Sequence, residues 1–289
     1  MSALSLDGEL WRRAALWGSS RTPEWFVRAA PPVVGLIVCA LAGEPRRRIA
    51  RNLTLLRGPR SPLRDAVDVG STFVAYASCL AEVLGAGSRH GRLPTVLVHG
   101  ELHALEAMAS GSGVILATAH TGGWESVGPV LTRDLGLQVM IAESAERDPG
   151  ASAIQDRVRK AQGLLLAHVG DDPLSALPLA RHLRQGGAVA LQLDRLPPGQ
   201  RRRAITLFDR AGHIPEGPLR LAAVTGAPIL PVFAARTGHR RYEVHVFPSQ
   251  RIARGASEAE LDRAAQALGD AMQMFLRAHP TQWFHFGGQ

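Results

Sequence analysis

VILATAHTGGWE, residues 114–125, is the stretch on which the fold turns. Its first six residues are apolar or small without polar alternation, as in a strand buried on both faces. His120 closes the run. Thr121, Gly122 and Gly123 then turn the chain into a helix-like stretch opening with Trp124 and Glu125. The same texture repeats outward. TVLVH (95–99) precedes it, with the helix-like ELHALEAMASG between, and LQVMIAE (137–143), LLLAHV (164–169) and AVALQLD (188–194) follow. PILPVFAAR (228–236) and YEVHVF (242–247) come before a helix spanning Glu258 to Ala278. Strands alternating with helices predict an α/β class: a mostly parallel central sheet flanked by helices, over residues 93–289. Ligands bind such sheets at the carboxyl ends of the strands, so those ends are where chemistry is sought.

Residues 1–92 read as a helical N-terminal region. Phe73, Tyr76, Ala77, Leu80 and Leu84 recur at helical spacing until the GAG at 85–87 stops the pattern. The glycines at 85, 87 and 91 follow a helix rather than a strand, which argues against a dinucleotide fingerprint. The run AAPPVVGLIVCALA (29–42) is too short to span a bilayer, which takes ~20 apolar residues. With basic residues on both sides it fits an interfacial helix; an ordinary buried helix fits it equally. Residues 1–64 hold eleven arginines against four acids, a local charge of +7 within a chain of +8. Such a face invites an anionic membrane, an acidic carrier protein or nucleic acid. Hydrophobic residues at 46% and charged at 20% describe a folded globular chain. Cys39 and Cys79 alone make neither a disulfide framework nor a zinc site and suit a reducing compartment.

Four constellations carry candidate chemistry. A carboxylate from Glu125 bonded to one imidazole nitrogen of His120 makes the other nitrogen a better base toward a hydroxyl. H-x4-E alone also fits a capping histidine and a solvated glutamate. His213-Ile214-Pro215-Glu216-Gly217-Pro218 is a rigid turn at a helix entry, either an anion site or plain punctuation. GQRRR (199–203) suits a phosphate, an acidic carrier or simply solvent. His99, His103 and Glu106 offer metal-ligand types on one helical face, but the H-E-x-x-H order is missing and a surface helix start accounts for them. The chain has no G-x-S-x-G nucleophile elbow and no G-x4-G-K-[ST] phosphate loop.

Taken together, HTGGWE, IPEGPLRLAAVTGAPILPVF and HPTQWFHF resemble the late (lauroyl/myristoyl) acyltransferases of lipid A biosynthesis. These form a branch of the lysophospholipid acyltransferase superfamily that also holds phosphatidylinositol mannoside acyltransferases. ARNLTLL (50–56) and FVAYASCLAEVL extend the likeness over nearly the whole chain. The resemblance implies a glycerol-phosphate-acyltransferase-like fold and an O-acyltransferase. His120 would deprotonate an acceptor hydroxyl while Glu125 orients it, and the hydroxyl would attack a thioester on acyl carrier protein or coenzyme A. No bound cofactor and no metal are implied, and the acceptor would be a membrane lipid at the cytoplasmic face of the inner membrane. Backbone amides around Gly122 and Gly123, or an arginine, would supply donors to the oxyanion. Arg159 with Gly163 matches the family's R-x-x-x-G, Glu216 and Gly217 its P-E-G turn, and Asp194 the acid ending the preceding strand, all expected to bind substrate.

Some positions depart from the pattern. Glu143 stands where many members carry arginine, with Arg147 displaced, and Leu207-Phe208-Asp209 replaces an F-F-G turn. These departures bear on the acceptor: lipid A precursor, lysophospholipid or glycolipid. A catalytically inactive membrane-binding homologue and a thioester or lipid hydrolase are the alternatives. Nucleic-acid binding rests on charge alone, without zinc-finger or aromatic RNA-binding motifs.

Overall fold

A computed structural model describes residues 22–86, 93–109, 111–143, 149–170, 173–196 and 199–286, together with Arg13 and residues 16–18. Gly87, Gly91, Arg147 and the first twelve residues, which figured in the sequence reading, lie outside these.

Three helices open the described chain: α1 (Glu24–Leu41), α2 (Gly43–Arg57) and α3 (Pro62–Gly85). Helix α1 starts before the apolar run at 29–42 suggests, because Trp25, Phe26 and Val27 continue the helix N-terminally and Pro31 and Pro32 are taken up inside it. A proline ring already has helical φ; what it forfeits is one backbone hydrogen bond. Pro62 sits in the first turn of α3, where its missing N–H costs nothing.

The core alternates as the sequence reading expects: β1 (Thr95–His99), α4 (Glu101–Met108), β2 (Val114–Thr118), α5 (Trp124–Leu135), β3 (Val139–Glu143), α6 (Pro149–Ala161), β4 (Leu165–His168), α7 (Leu177–Arg184) and β5 (Ala188–Gln192). A hairpin of β6 (Arg202–Leu207) and β7 (Arg210–Pro215) precedes α8 (Gly217–Thr225), β8 (Ile229–Gly238), β9 (Arg241–Val246) and α9 (Glu258–Ala278). Seven strands form one sheet in the order β1-β9-β8-β2-β5-β3-β4. Strands β8, β2, β5, β3 and β4 run parallel. Strand β9 turns back antiparallel to β8 and carries β1 parallel to itself. The sheet is therefore mostly parallel, with a reversed edge.

Strand β2 is buried at every position, and its period of two divides it between two cores. Ile115 and Ala117 pack with Leu183, Leu219, Leu268 and Phe275 from α7, α8 and α9. Val114 and Leu116 pack with Ala75 and Cys79 of α3 and Val127 of α5. Helix α3 thus belongs to the same core as the sheet. Helix α9 begins with a full capping box between Ser257 and Glu260, which fixes its start.

The β6–β7 hairpin departs from the sequence reading, in which 213–218 is a turn at a helix entry and no strand directly precedes it. It forms its own two-stranded antiparallel sheet. Phe208 and Asp209 sit at its tip with φ of 54° and 60°. Two left-handed residues give a turn whose twist matches the flanking strands, although neither residue advertises it as Asn-Gly would.

Candidate active site

Parallel pairing builds the site. Thr118 at the end of β2 is in register with Gln192 at the end of β5. Two residues beyond each, His120 and Asp194 emerge side by side at the carboxyl edge of the sheet. His120 Nδ1 donates to Asp194 Oδ1 over 2.8 Å, and the His120 backbone N–H points at both carboxylate oxygens at 3.1 Å. Trp283 Nε1 donates to Oδ2 at 2.9 Å, and His285 Nδ1 stands 3.8 Å from the same oxygen. Burial works to raise the Asp194 carboxyl, but the charge and hydrogen bond of His120, with the nearby His285 imidazole, overcome it and hold the group well below the usual carboxylate range. The bonded carboxylate assigns the ring proton to Nδ1, leaving Nε2 as an acceptor on a side chain that is 17% exposed. An imidazole held in this way can accept a proton at Nε2.

The expectation that Glu125 orients the ring is corrected by this geometry. Glu125 lies in the first turn of α5, and its Oε1 accepts from Arg159 at 2.7 Å and from Gln155 at 2.9 Å. Arg159, 5% exposed at its side chain, also pairs with Glu143 and rests over the Trp124 ring, 5.9 Å from its centre. Residue 143, the position that departs from the family pattern, is thus a partner of the family-like arginine. Five residues of separation put Glu125 near His120 in sequence, but the helix start carries its carboxylate toward α6.

The glycine pair has a packing reason. Gly123 has φ of 86°, and a Cβ there would sit 1.9 Å from the Tyr242 ring. A Cβ on Gly122 would sit 2.0 Å from Gln282 Oε1. Tyr242 is pinned from behind, its hydroxyl donating to Glu82 Oε2 at 2.5 Å, while Arg236 holds Glu82 Oε1 at 2.7 Å. A β-carbon at either position would displace the turn that presents His120.

The C-terminal segment closes the site. Phe284 N–H donates to the His120 carbonyl at 2.7 Å, and Thr121 and Trp283 form an antiparallel bridge. Helix α2 holds this strap from outside: Asn52 donates to the His285 carbonyl at 3.0 Å and Arg48 to that of Phe286 at 3.3 Å. Trp283 and His285 were missed as site residues. The only signal for them was the terminal P-x-Q-W-F, which says nothing locally about its partner.

Glu216 and Gly217 are not brought to His120's hydrogen-bond network. Glu216 is buried and accepts from Arg203 at 2.7 Å and from Arg220. Burial pushes it up, and the two guanidiniums pull it net downward. Arg203 also reaches Asp262 at 2.6 Å and pairs with Glu258, tying the hairpin to α9. Of the GQRRR arginines, Arg203 is therefore a buried clamp, while Arg201 and Arg202 are exposed. Gly217 opens α8. His103 pairs with Glu106 at 3.9 Å, whereas His99 faces Glu243 rather than His103. Burial pushes the Cys79 thiol up to about 12, too high for a thiolate nucleophile.

A mostly parallel α/β sheet with a carboxylate-held histidine at a strand end suits transferases and hydrolases that activate a hydroxyl or a water. The family model for bacterial lipid A biosynthesis acyltransferases matches residues 11–289, and the chain belongs to that family. It is 27% identical over 287 residues to the phosphatidylinositol mannoside acyltransferase of Mycobacterium tuberculosis, spanning 94% of this chain and 85% of the relative. The protein of the same name from Mycolicibacterium smegmatis is 25% identical over 272 residues, covering 89% and 86%. The chain is an acyltransferase of the lipid A and phosphatidylinositol mannoside type.

Proposed function

We propose that this acyltransferase moves a fatty acyl chain from an acyl thioester, on acyl carrier protein or coenzyme A, to a hydroxyl of a membrane glycolipid. The observation that carries the reading is the 2.8 Å contact between His120 Nδ1 and Asp194, which leaves Nε2 free to accept a proton. The acceptor hydroxyl gives its proton to Nε2 as its oxygen attacks the thioester carbonyl. The tetrahedral oxyanion then collapses, the C–S bond breaks, and the thiolate takes the proton back from the imidazolium. The backbone amides from Gly122 to Glu125, at the N-terminus of α5, are the donors for the oxyanion. Asp194 keeps the tautomer and offsets the imidazolium charge. On this reading Asp194 orients the base, and Glu125, held by Arg159, stands at the wall of a neighbouring apolar slot.

Two features support the lipid reading. An apolar slot lined by Leu116, Trp124, Val127, Leu131, Ile141 and Leu164 lies between the sheet and α5, with Glu125 at its wall. Its volume is about 40 Å³, room for a few waters. Helix α1 leaves Trp25, Val33, Leu36, Ile37 and Leu41 more than half exposed, an unusual apolar face for a globular surface. Flanked by arginines, it suits monotopic attachment to an anionic leaflet. The names of the mycobacterial relatives point to a mannosylated phosphatidylinositol as acceptor class.

The test is a lipid extract compared by mass spectrometry after incubating acyl-CoA or acyl-ACP with candidate acceptors. We expect an acceptor heavier by one acyl chain with the wild type and none with His120→Ala. Near wild-type transfer by His120→Ala would overturn the mechanism, and release of free fatty acid alone would indicate a hydrolase.

A further inference from the structure

The outer edge of the sheet gathers a second set of reactive side chains that shares no residue with the His120 site. His99 ends β1 and is in register with His245 of β9. Paired residues of parallel strands share a face, and Glu243, two residues before His245, shares it too. The rings of His99 and His245 lie 4.7 Å apart, and Glu243 Oε2 is 3.6 Å from the Nε2 atom of each. At 3.6 Å neither contact is a hydrogen bond. His245 Nε2 is buried without any hydrogen-bond partner. Three donor atoms therefore converge within 4.8 Å of one another, with one buried nitrogen unsatisfied.

We propose that His99, Glu243 and His245 form a binding site for a divalent first-row metal ion, with zinc the best fit. Two imidazole nitrogens and one carboxylate are the donors such ions take, whereas magnesium and calcium take oxygens. Tetrahedral bonds of ~2.1 Å put ligand atoms ~3.4 Å apart, close to the two 3.6 Å spacings to Glu243 already present. His99 is 47% exposed at its side chain, so it can swing to close the site and the ion can enter from solvent. His279, its ring 4.8 Å from that of His245, walls the inner side. The ion would clip β1, one of the two edge strands of the sheet, to its single partner β9.

The test uses the full-length chain without a histidine tag, stripped with chelator and titrated with zinc against a chromophoric chelator. One zinc per chain is expected, with affinity reduced at least ~tenfold in both His99→Ala and Glu243→Gln. Zinc should also raise the Tm of the wild type by a few degrees and leave that of His99→Ala unmoved. His99→Ala removes a half-exposed edge residue, so circular dichroism and apo Tm should match the wild type. No zinc uptake, or uptake that both variants retain in full, overturns the proposal.

Discussion

Asp194 and Glu216 are both buried acids just past the end of a strand, each bonded to a nitrogen base, yet they equip their surroundings for opposite purposes. Asp194 faces an imidazole, a side chain that can both accept and donate a proton. Glu216 faces the guanidiniums of Arg203 and Arg220, which never release theirs. The first pair can move a proton during a reaction; the second can only hold two elements together. Glu125, bound by Arg159, falls with the second kind. What separates a reactive acid from a structural one is the acid–base range of its partner, not its own burial.

The largest effect should come from swapping Asp194 for its isostere. Asp194→Asn keeps the shape that Trp283 and the His120 backbone meet, but removes the charge that favours the imidazolium. We expect kcat for acyl transfer to fall by ~10²–10⁴, with KM little changed, on the precedent of other oriented histidine bases. Glu125→Gln should lower it far less, since Arg159 keeps Glu143. Equal losses in the two variants, measured side by side, would erase the distinction. Acid unfolding offers a second reading of the same pair. The folded carboxyl of Asp194 is depressed, so its stabilisation is present above the unfolded value of ~3.9 and fades as pH falls through the folded value. Denaturation curves of wild type and Asp194→Asn should differ most above about pH 4 and converge in strong acid.

Glu216→Gln probes the other kind of acid. Losing the charge leaves Arg203 with Asp262 and Glu258, so the clamp loosens without orphaning the guanidinium. We expect about 1–3 kcal/mol of lost stability, less than for a buried cation left alone. Residual acyl transfer at low temperature should stay within about twofold of wild type. A collapse of kcat with unchanged Tm would put Glu216 in the substrate site after all.

The strands were legible because they write themselves as short apolar runs, continuous where both faces are buried and alternating in β1 and β9, and all seven of the main sheet lie where such runs stand. The hairpin was not, because Arg210 to Pro215 carries little strand signal and a Phe-Asp tip disfavours the left-handed backbone it adopts. His120 was legible from its place after a buried strand. Its hydrogen-bond partner was not: Asp194 is 74 positions away and arrives only through the register of β2 with β5, while the nearby Glu125 satisfied the spacing alone. Trp283 arrives from 89 positions beyond Asp194 through a bridge to Thr121. Local spacing suggests a pair; sheet topology decides it.

The smallest expected effect concerns the third setting in which the chain buries or exposes against type, the α1 face. Val27, Pro31 and Gly35 recur every four residues and lie buried, in the stripe by which α1 meets α3. Ile37 stands off that stripe and is more than half exposed, so an acidic side chain there stays at the surface of the folded protein. If the face enters a leaflet, Ile37→Glu loses the burial of one aliphatic side chain and adds repulsion from anionic headgroups. One such side chain is worth ~1.5–3 kcal/mol when fully buried, and an interfacial helix buries it in part. Partition onto anionic liposomes in a sedimentation assay should therefore weaken by about tenfold, while transfer to a detergent-dispersed acceptor stays near wild type. Unchanged liposome binding would assign the exposed face to something other than a membrane, leaving the His120–Asp194 chemistry untouched.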